Sequence, residues 1–486
     1  IITAMKLNVQ KHLPILEWGK TYTGKTAVND LVVALIVTIM LIPQSLAYAQ
    51  LAGLPSEIGL YASMGQLVLY AIFGTSRALS VGPVATSSLM TLAAIAPFAV
   101  AGTPEYQIAA MTLALLTGLF LIILRVFKMG FISNFMSFPV MAGLTTALGL
   151  QIATSQLTPI LGVPMEGGAF LPMVISLVKN MSQINIPTAV IGVSSVIFLM
   201  LVKKYMASLL IRLGMSKSLA GILARMGPVV AIVIAVLFVS GLALNQQGVK
   251  IVGEVPKGLP GLVFPPFDPE LWGQLAPPAI LIAILCYVGS ISVGQSLASK
   301  KRQYIDPDQE LLALGSANIG ASILGGFPVA GGFSRSIVNF EAGAETQAAG
   351  IFTAIGIALV ALFLTPLLFY LPNATLGATI FVAVLSMVKI GAAIKTYGFS
   401  KSDGIAMGLT IILALTLGVI YGLMAGIGTS LLLYLYRTSK PHMAVIGQVP
   451  GTQSFKNIIR NEVVTSPEVI SLRLDESLYF PNVRFL

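Results

Sequence analysis

Charge is scarce in this chain: Asp, Glu, Lys and Arg make up 9% of its 486 residues, against about 25% in an ordinary soluble domain. Cysteine is limited to Cys286, and histidine to His12 and His442. A single cysteine excludes a disulfide framework and a thiolate metal cluster. Both histidines lie outside the apolar body, which excludes an intramembrane histidine metal site and histidine acid–base catalysis. No nucleophile–base pair or metal-ligand spacing is present, so no catalytic residue, metal or cofactor is expected and the chain is not read as an enzyme. What the chain does have is apolar surface, with 56% hydrophobic residues and a mean hydropathy of +0.91. That composition excludes a soluble enzyme, a disordered chain and a nucleic-acid-binding domain.

Apolar stretches of about 18 residues read as membrane helices. They fall at roughly 30–52, 58–73, 84–100, 106–126, 132–157, 186–202, 226–244, 278–298, 310–326, 333–342, 346–370, 374–392, 403–420 and 422–437. The expected fold is therefore an all-α polytopic membrane protein with fourteen spans, two of them short. Residues 1–27 are polar and mixed, a cytoplasmic segment rather than a signal peptide. Residues 28–437 form the membrane domain, and 438–486 a polar tail in which residues 469–474 read as a short strand.

The net charge of +10 is a topology signal. With the N-terminus inside, the inner connections hold 20 of the 28 basic residues, among them Lys6, Lys11, Arg77, Lys301 and Lys389. The outer connections hold only Lys179, Lys250 and Lys257. An even span count with both termini cytoplasmic fits this bias, and no nucleic-acid partner is implied.

Two interruptions stand out. One runs from Gly74 through Gly82 and Pro83 to Ser88; the other runs from Gly325 through Gly331 and Gly332 to Ser336. Each sets Gly and Pro just before a short apolar helix. The first break, Pro83, lies 53 residues after Asp30; the second, Gly331, lies 54 after Pro277. Matching interruptions in two halves point to a site built from inverted repeats, although glycine-rich kinks at helix crossings give the same pattern. Seven spans per half would invert the second half.

Two facing helix N-termini present free N–H groups and about half a positive charge each. Arg335 adds a full charge and is the one Lys or Arg well inside an apolar stretch. All eighteen acids fall in tails, connections or span ends. Donors and a cation without a carboxylate suit an anion, while a snorkelling, structural Arg335 is the plainer alternative. Ser334, Ser336, Thr86 and Ser87 are expected to cap the helices whatever else they do. In the first span Gln44 and Tyr48 share a face at i and i+4. They line a pocket or simply pack between helices.

At these residues the sequence resembles the SulP family of anion transporters, whose animal members form solute carrier family 26. The resemblance runs from about residue 28 to 486. It rests on Pro43-Gln44-Ser45-Leu46-Ala47-Tyr48-Ala49, Gly59-Leu60-Tyr61-Ala62-Ser63 and Gly82-Pro83-Val84-Ala85. It continues in Asp306-Pro307-Asp308-Gln309-Glu310 and Gly332-Phe333-Ser334-Arg335-Ser336. The run from Ser477 to Val483 resembles the start of the family's α/β STAS domain.

The resemblance implies fourteen spans as a seven-plus-seven inverted repeat. A core of spans 1–4 and 8–11 moves against a gate of spans 5–7 and 12–14 in an elevator-type cycle, as a homodimer in the cell (inner) membrane. It also implies a substrate site at Gln44, Tyr48, Pro83, Val84, Ala85, Thr86, Phe333, Ser334 and Arg335, holding sulfate, bicarbonate, chloride, oxalate or a dicarboxylate. Many bacterial relatives carry a Glu in the eighth span where this chain has Gly289. That departure tells against simple proton symport and leaves exchange or uncoupled transport open, with H+ or Na+ as candidate co-transported ions. Glu341 is the nearest remaining candidate for coupling, and a solvated loop residue is its plainer reading. The expectation is a secondary transporter of a small inorganic or carboxylate anion, sulfate first. An anion channel on the same fold is the main alternative, ahead of a nucleobase permease.

Overall fold

The computed structural model describes residues 13–134, 138–164, 170–300, 302–385, 388, 390–478 and 482–483. His12, Lys6, Lys11, Lys301 and Lys389 lie outside the described residues, as do Tyr479, Phe480 and Pro481. The helices that overlap the expected stretches in the first half are α1 (Gly24–Leu51), α2 (Ser56–Phe73), α3 (Ala85–Ile95), α4 (Pro104–Val126), α5 (Phe138–Leu161), α6 (Ile186–Leu201) and α7 (Gly227–Gly241). Those of the second half are α8 (Pro269–Lys300), α9 (Pro307–Ile323), α10 (Phe333–Glu341), α11 (Ala348–Leu359), α12 (Asn373–Leu385), α13 (Lys401–Thr416) and α14 (Val419–Thr438). Strand β1 (Val81–Gly82) precedes α3, and β2 (Ala330–Gly331) precedes α10. By length and composition, five helices among the described residues suffice to cross a membrane: Gly24–Leu51, Pro104–Val126, Ile186–Arg212, Pro269–Lys300 and Ala348–Leu368.

Local chemistry explains most boundaries. Thr23, Thr103 and Asn185 cap α1, α4 and α6 with their side chains. Asp306 accepts from the N–H groups of Asp308 and Gln309 at 3.0 and 3.2 Å, and Pro307 opens α9 behind it. The sequence pattern opens the eighth span near Pro278, but α8 starts at Pro269 and carries Pro277 and Pro278 inside. The reason is Asp268, whose Oδ1 accepts from Glu270 N at 3.0 Å and caps the helix ahead of the prolines. Helix Phe170–Lys179, which the pattern leaves in a connection, and helix Ile390–Phe399, most of which it leaves in one, are further additions.

Helix packing follows a rule of seven. α8 packs on α4, as α1 packs on α11; α9 packs on α4, as α2 packs on α11. Likewise α5 meets α13, as α12 meets α6, and α13 meets α14, as α6 meets α7. Helices α1–α4 and α8–α11 thereby form one group and the rest a second. The groups meet through α1 against α12 and α7 and through α3 against α5. Where α1 crosses α2, a Cβ on Gly59 would sit 1.9 Å from the backbone oxygen of Ser45, so only glycine allows that approach.

The tail folds as a three-stranded antiparallel sheet in which β3 (Met443–Gln448) lies between β4 (Phe455–Asn457) and β5 (Leu472–Leu474). The hydrogen bond from Arg473, assisted by His442, holds the Asp475 carboxyl below its ordinary range.

Candidate functional site

β1 and β2 pair antiparallel, Val81 with Gly331 and Gly82 with Ala330. The pairing brings the two interruptions together and sets the starts of α3 and α10 side by side. Irregular backbone inside a membrane protein must be satisfied by protein groups, and it is satisfied here from the helices around it. Gln66 of α2 donates to Val81 O at 3.2 Å. Asn318 of α9 donates to Val329 O at 3.1 Å and accepts from Val329 N at 2.9 Å. Ser290 Oγ accepts from Gly331 N at 2.8 Å, and Ser336 Oγ from Ser80 N at 2.9 Å.

The helix starts themselves are treated differently. The residues at their N-cap positions are Val84 and Gly332, and neither offers a side-chain cap. The expectation that nearby Ser and Thr cap these helices is therefore overturned. Ser87 and Ser88 donate backward to Val84 O, Ser336 serves β1, and Ser334 lies within α10. Pro83 lies two residues before α3 begins, and its carbonyl accepts a hydrogen bond from Arg335. The N–H groups of the first turns, Ala85 to Ser87 and Phe333 to Arg335, have no intrahelical acceptor. The two short helices, 11 and 9 residues long, aim uncapped donors into the same region.

Arg335 sits between them and is 2% exposed. Its Nη1 donates to Pro83 O at 2.8 Å and to Gln44 Oε1 at 3.2 Å. Its Nε and Nη2 have no hydrogen-bond partner among the described residues. Tyr48, 8% exposed, acts electrostatically on the guanidinium, and no carboxylate among the described residues does. Gln44 acts toward Arg335 as an acceptor. Phe333 is 60% exposed and Ser334 is also exposed, so the start of α10 faces open space. Pro83 and Ala85 are buried, and Val84 and Thr86 half-buried. Glu341 stands apart, exposed at the far end of α10 and about 9 Å along the helix axis from Arg335.

Two glycines of the interruptions, Gly82 and Gly332, crowd the guanidinium. A Cβ on Gly82 would lie 2.6 Å from Arg335 Nη2, and one on Gly332 2.8 Å from Arg335 Cζ. Gly82 and Gly332 serve this close approach rather than left-handed backbone, since neither has positive φ. Gly332→Ala is expected to push the guanidinium aside and weaken ligand binding roughly tenfold, the equivalent of about 1.4 kcal/mol. In an Arg335→Ala background the same change should be near neutral, a coupling that a double-mutant cycle on ligand affinity measures. Polar Gln66 and Asn318 were visible inside apolar spans, and that is the signal for the supporting residues. At Gly289 no neighbouring element among the described residues comes within 4 Å of where a Cβ would stand, so a side chain there would have room. A separate cavity of about 730 Å³ between α1, α7 and α11 is lined almost wholly by apolar residues such as Leu35, Ile42 and Ile355, with Thr38 the exception among the described residues.

Helices in pairs, with two half-length ones meeting start to start at a buried cation, make a helical membrane-transporter fold. Residues 28–410 match the model of the sulfate permease family, and the chain belongs to that family. It is 33% identical over 477 residues to chloroplastic sulfate transporter 4.1 of Arabidopsis thaliana, covering 97% of this chain and 68% of that one. A probable sulfate transporter of Mycobacterium tuberculosis is 32% identical over 464 residues, covering 95% and 80%. The murine solute carrier 26 family member A9 anion transporter, solved in its inward-facing state, superposes with a TM-score of 0.87 at 26% identity, covering 99% of this chain and 80% of that one. The transmembrane domain of the cyanobacterial bicarbonate transporter BicA shares the fold, with a TM-score of 0.71 at 21% identity and coverages of 83% and 98%.

Proposed function

We propose that this protein is a secondary active transporter that binds sulfate between the starts of α3 and α10. One observation carries the reading: a buried guanidinium that, among the described residues, has two unpartnered nitrogens and no carboxylate near it, set between helix N-termini without side-chain caps. Such a site is incomplete without an anion, because backbone donors and Arg335 are left to be filled together. The curated relatives named for sulfate make that the first substrate to test, ahead of bicarbonate, chloride or a dicarboxylate.

The rule of seven in the helix contacts supports fourteen spans in two inverted halves. It also supports a core of α1–α4 and α8–α11 that carries the anion past a gate of α5–α7 and α12–α14, an elevator-type motion. The placement of the lysines and arginines supports cytoplasmic termini in the cell membrane. The polar tail is read as the opening of a STAS domain, and the working unit as a homodimer. With Gly289 neutral and Glu341 outside the group around Arg335, exchange or uncoupled transport is favoured over proton symport.

Purified protein in proteoliposomes is expected to take up labelled sulfate saturably and faster against trapped anion. Sulfate at about 100 times its Kd should stabilise the folded protein by about 2.7 kcal/mol. An ohmic chloride current without saturable sulfate flux would replace this reading with the channel.

A further inference from the structure

Helix α1 contributes more than Gln44 and Tyr48. Gln50 lies on α1, six residues beyond Gln44 and so about 9 Å further along the same helix. Its Nε2 donates to Ser56 Oγ at 2.8 Å and to Asn373 Oδ1 at 3.0 Å. Ser56 is buried at the start of α2, in the core; Asn373 is the first residue of α12, in the gate. Both amide protons are thus used, one to hold the side chain against its own group of helices and one to reach across.

Asn373 is itself held. Its N–H donates to Lys250 O at 3.0 Å, and Val252 N and Gly253 N donate to Leu371 O and Phe369 O at 2.9 and 3.1 Å. Segments 249–253 and 369–373 are therefore joined through their backbones. Both are connections between the two groups of helices: the first belongs to the link from α7 to α8, the second to the link from α11 to α12. The Gln50 amide is a side-chain clasp onto that joined pair, at the end of α1 opposite its N-terminus.

We infer that Gln50 is a positioning residue for transport: its amide clasps core to gate through Asn373 and biases the protein toward the state closed at that end. The inference rests on the proposed movement of core against gate. If the core slides, Gln50 travels with α1 and Asn373 stays with α12, so this bond must open in every cycle. Gln50 touches no anion; it sets the population of states in which the site at Gln44 and Arg335 can be reached from one side.

The single, buried Cys286 makes the test practicable, because Cys286→Ala supplies a cysteine-free background. In that background Gln50→Cys with Asn373→Cys is joined by a short bis-methanethiosulfonate linker in proteoliposomes. Labelled-sulfate uptake is expected to stop on linking and to return on reduction, with the reduced double variant as the folding control. Separately, Gln50→Ala and Asn373→Ala are each introduced beside a Phe333→Cys reporter. A membrane-impermeant thiol reagent applied at the α1 C-terminal side should label the reporter about fivefold faster in either variant, and no faster still in the double variant. Uptake that continues in fully linked protein would overturn both the clasp and the sliding motion. Uptake that stops on linking while Gln50→Ala and Asn373→Ala label at the parent rate would overturn the clasp and leave the motion standing.

Discussion

Arg335→Ala is expected to weaken sulfate binding by roughly two orders of magnitude and to abolish saturable uptake, in a protein that still assembles. A unit charge about 4 Å from another at an effective dielectric of about 20 contributes about 4 kcal/mol. Part of that offsets lost hydration of the anion, leaving about 3 kcal/mol, or roughly 100-fold in Kd. The sign of the stability change separates a binding role from a structural one. A buried charge without a counter-ion costs folding energy, and among the described residues Arg335 has no carboxylate beside it and leaves Nε and Nη2 unpartnered. The anion-free alanine variant should therefore melt no lower than the parent, while the upward shift produced by sulfate disappears. A structural arginine that only ties Pro83 O to Gln44 predicts the opposite: a lower melting point without anion and an unchanged shift with it. Arg335→Lys keeps the charge but loses the planar fork, so it should recover part of the affinity, about tenfold short of the parent. Calorimetric titration with sulfate reads all three.

Much of this site was legible because its signals are local. A glycine–proline run before a short apolar helix, repeated at nearly the same offset in both halves, marks broken helices whatever the partners are. Arg335 stands out because an isolated cation in an apolar stretch has few places to go. The caps were misread for an equally local reason. Serines lie at and around the helix starts, but the N-cap positions themselves fall on Val84 and Gly332. A shift of one or two residues changes a capping oxygen into a side chain that bonds elsewhere. The start of α8 was lost to two prolines that normally interrupt a helix, because Asp268 caps it from further upstream. Distant pairings were not legible at all. Asp30 accepts from Glu345 N and Thr346 N, more than 300 residues away, and nothing in the neighbourhood of Asp30 announces it.

Glu310 belongs to that hidden class, and its loss is expected to have the largest effect on stability. The Asp306-to-Glu310 motif divides its acids by task. Asp306 caps α9, Asp308 Oδ1 accepts from Gly130 N at 2.9 Å, and Glu310 turns inward, 1% exposed. Its Oε2 accepts from the Tyr70 hydroxyl at 2.9 Å. Its Oε1 accepts from Thr75 Oγ1 at 2.6 Å, Thr75 N at 2.8 Å and Ser76 N at 3.2 Å. Four donors converge on one carboxylate, and they belong to the end of α2 and the loop that leads into β1. Glu310→Ala leaves those donors facing a cavity, at about 1–3 kcal/mol for each that water cannot reach. The sum is about 4 kcal/mol, enough to lower the melting temperature by more than about 5 °C. Glu310→Gln keeps one oxygen but turns an NH2 toward a donor, so it should recover about half of that loss. The loop is also the approach to β1 and hence to the start of α3, so sulfate affinity should fall with stability in both variants and recover in the same order. A Glu310→Ala protein that melts with the parent and binds sulfate normally would mean that β1 holds its place without this anchor. The antiparallel pairing with β2 and the bond from Gln66 to Val81 O would then have to position the first half-helix alone.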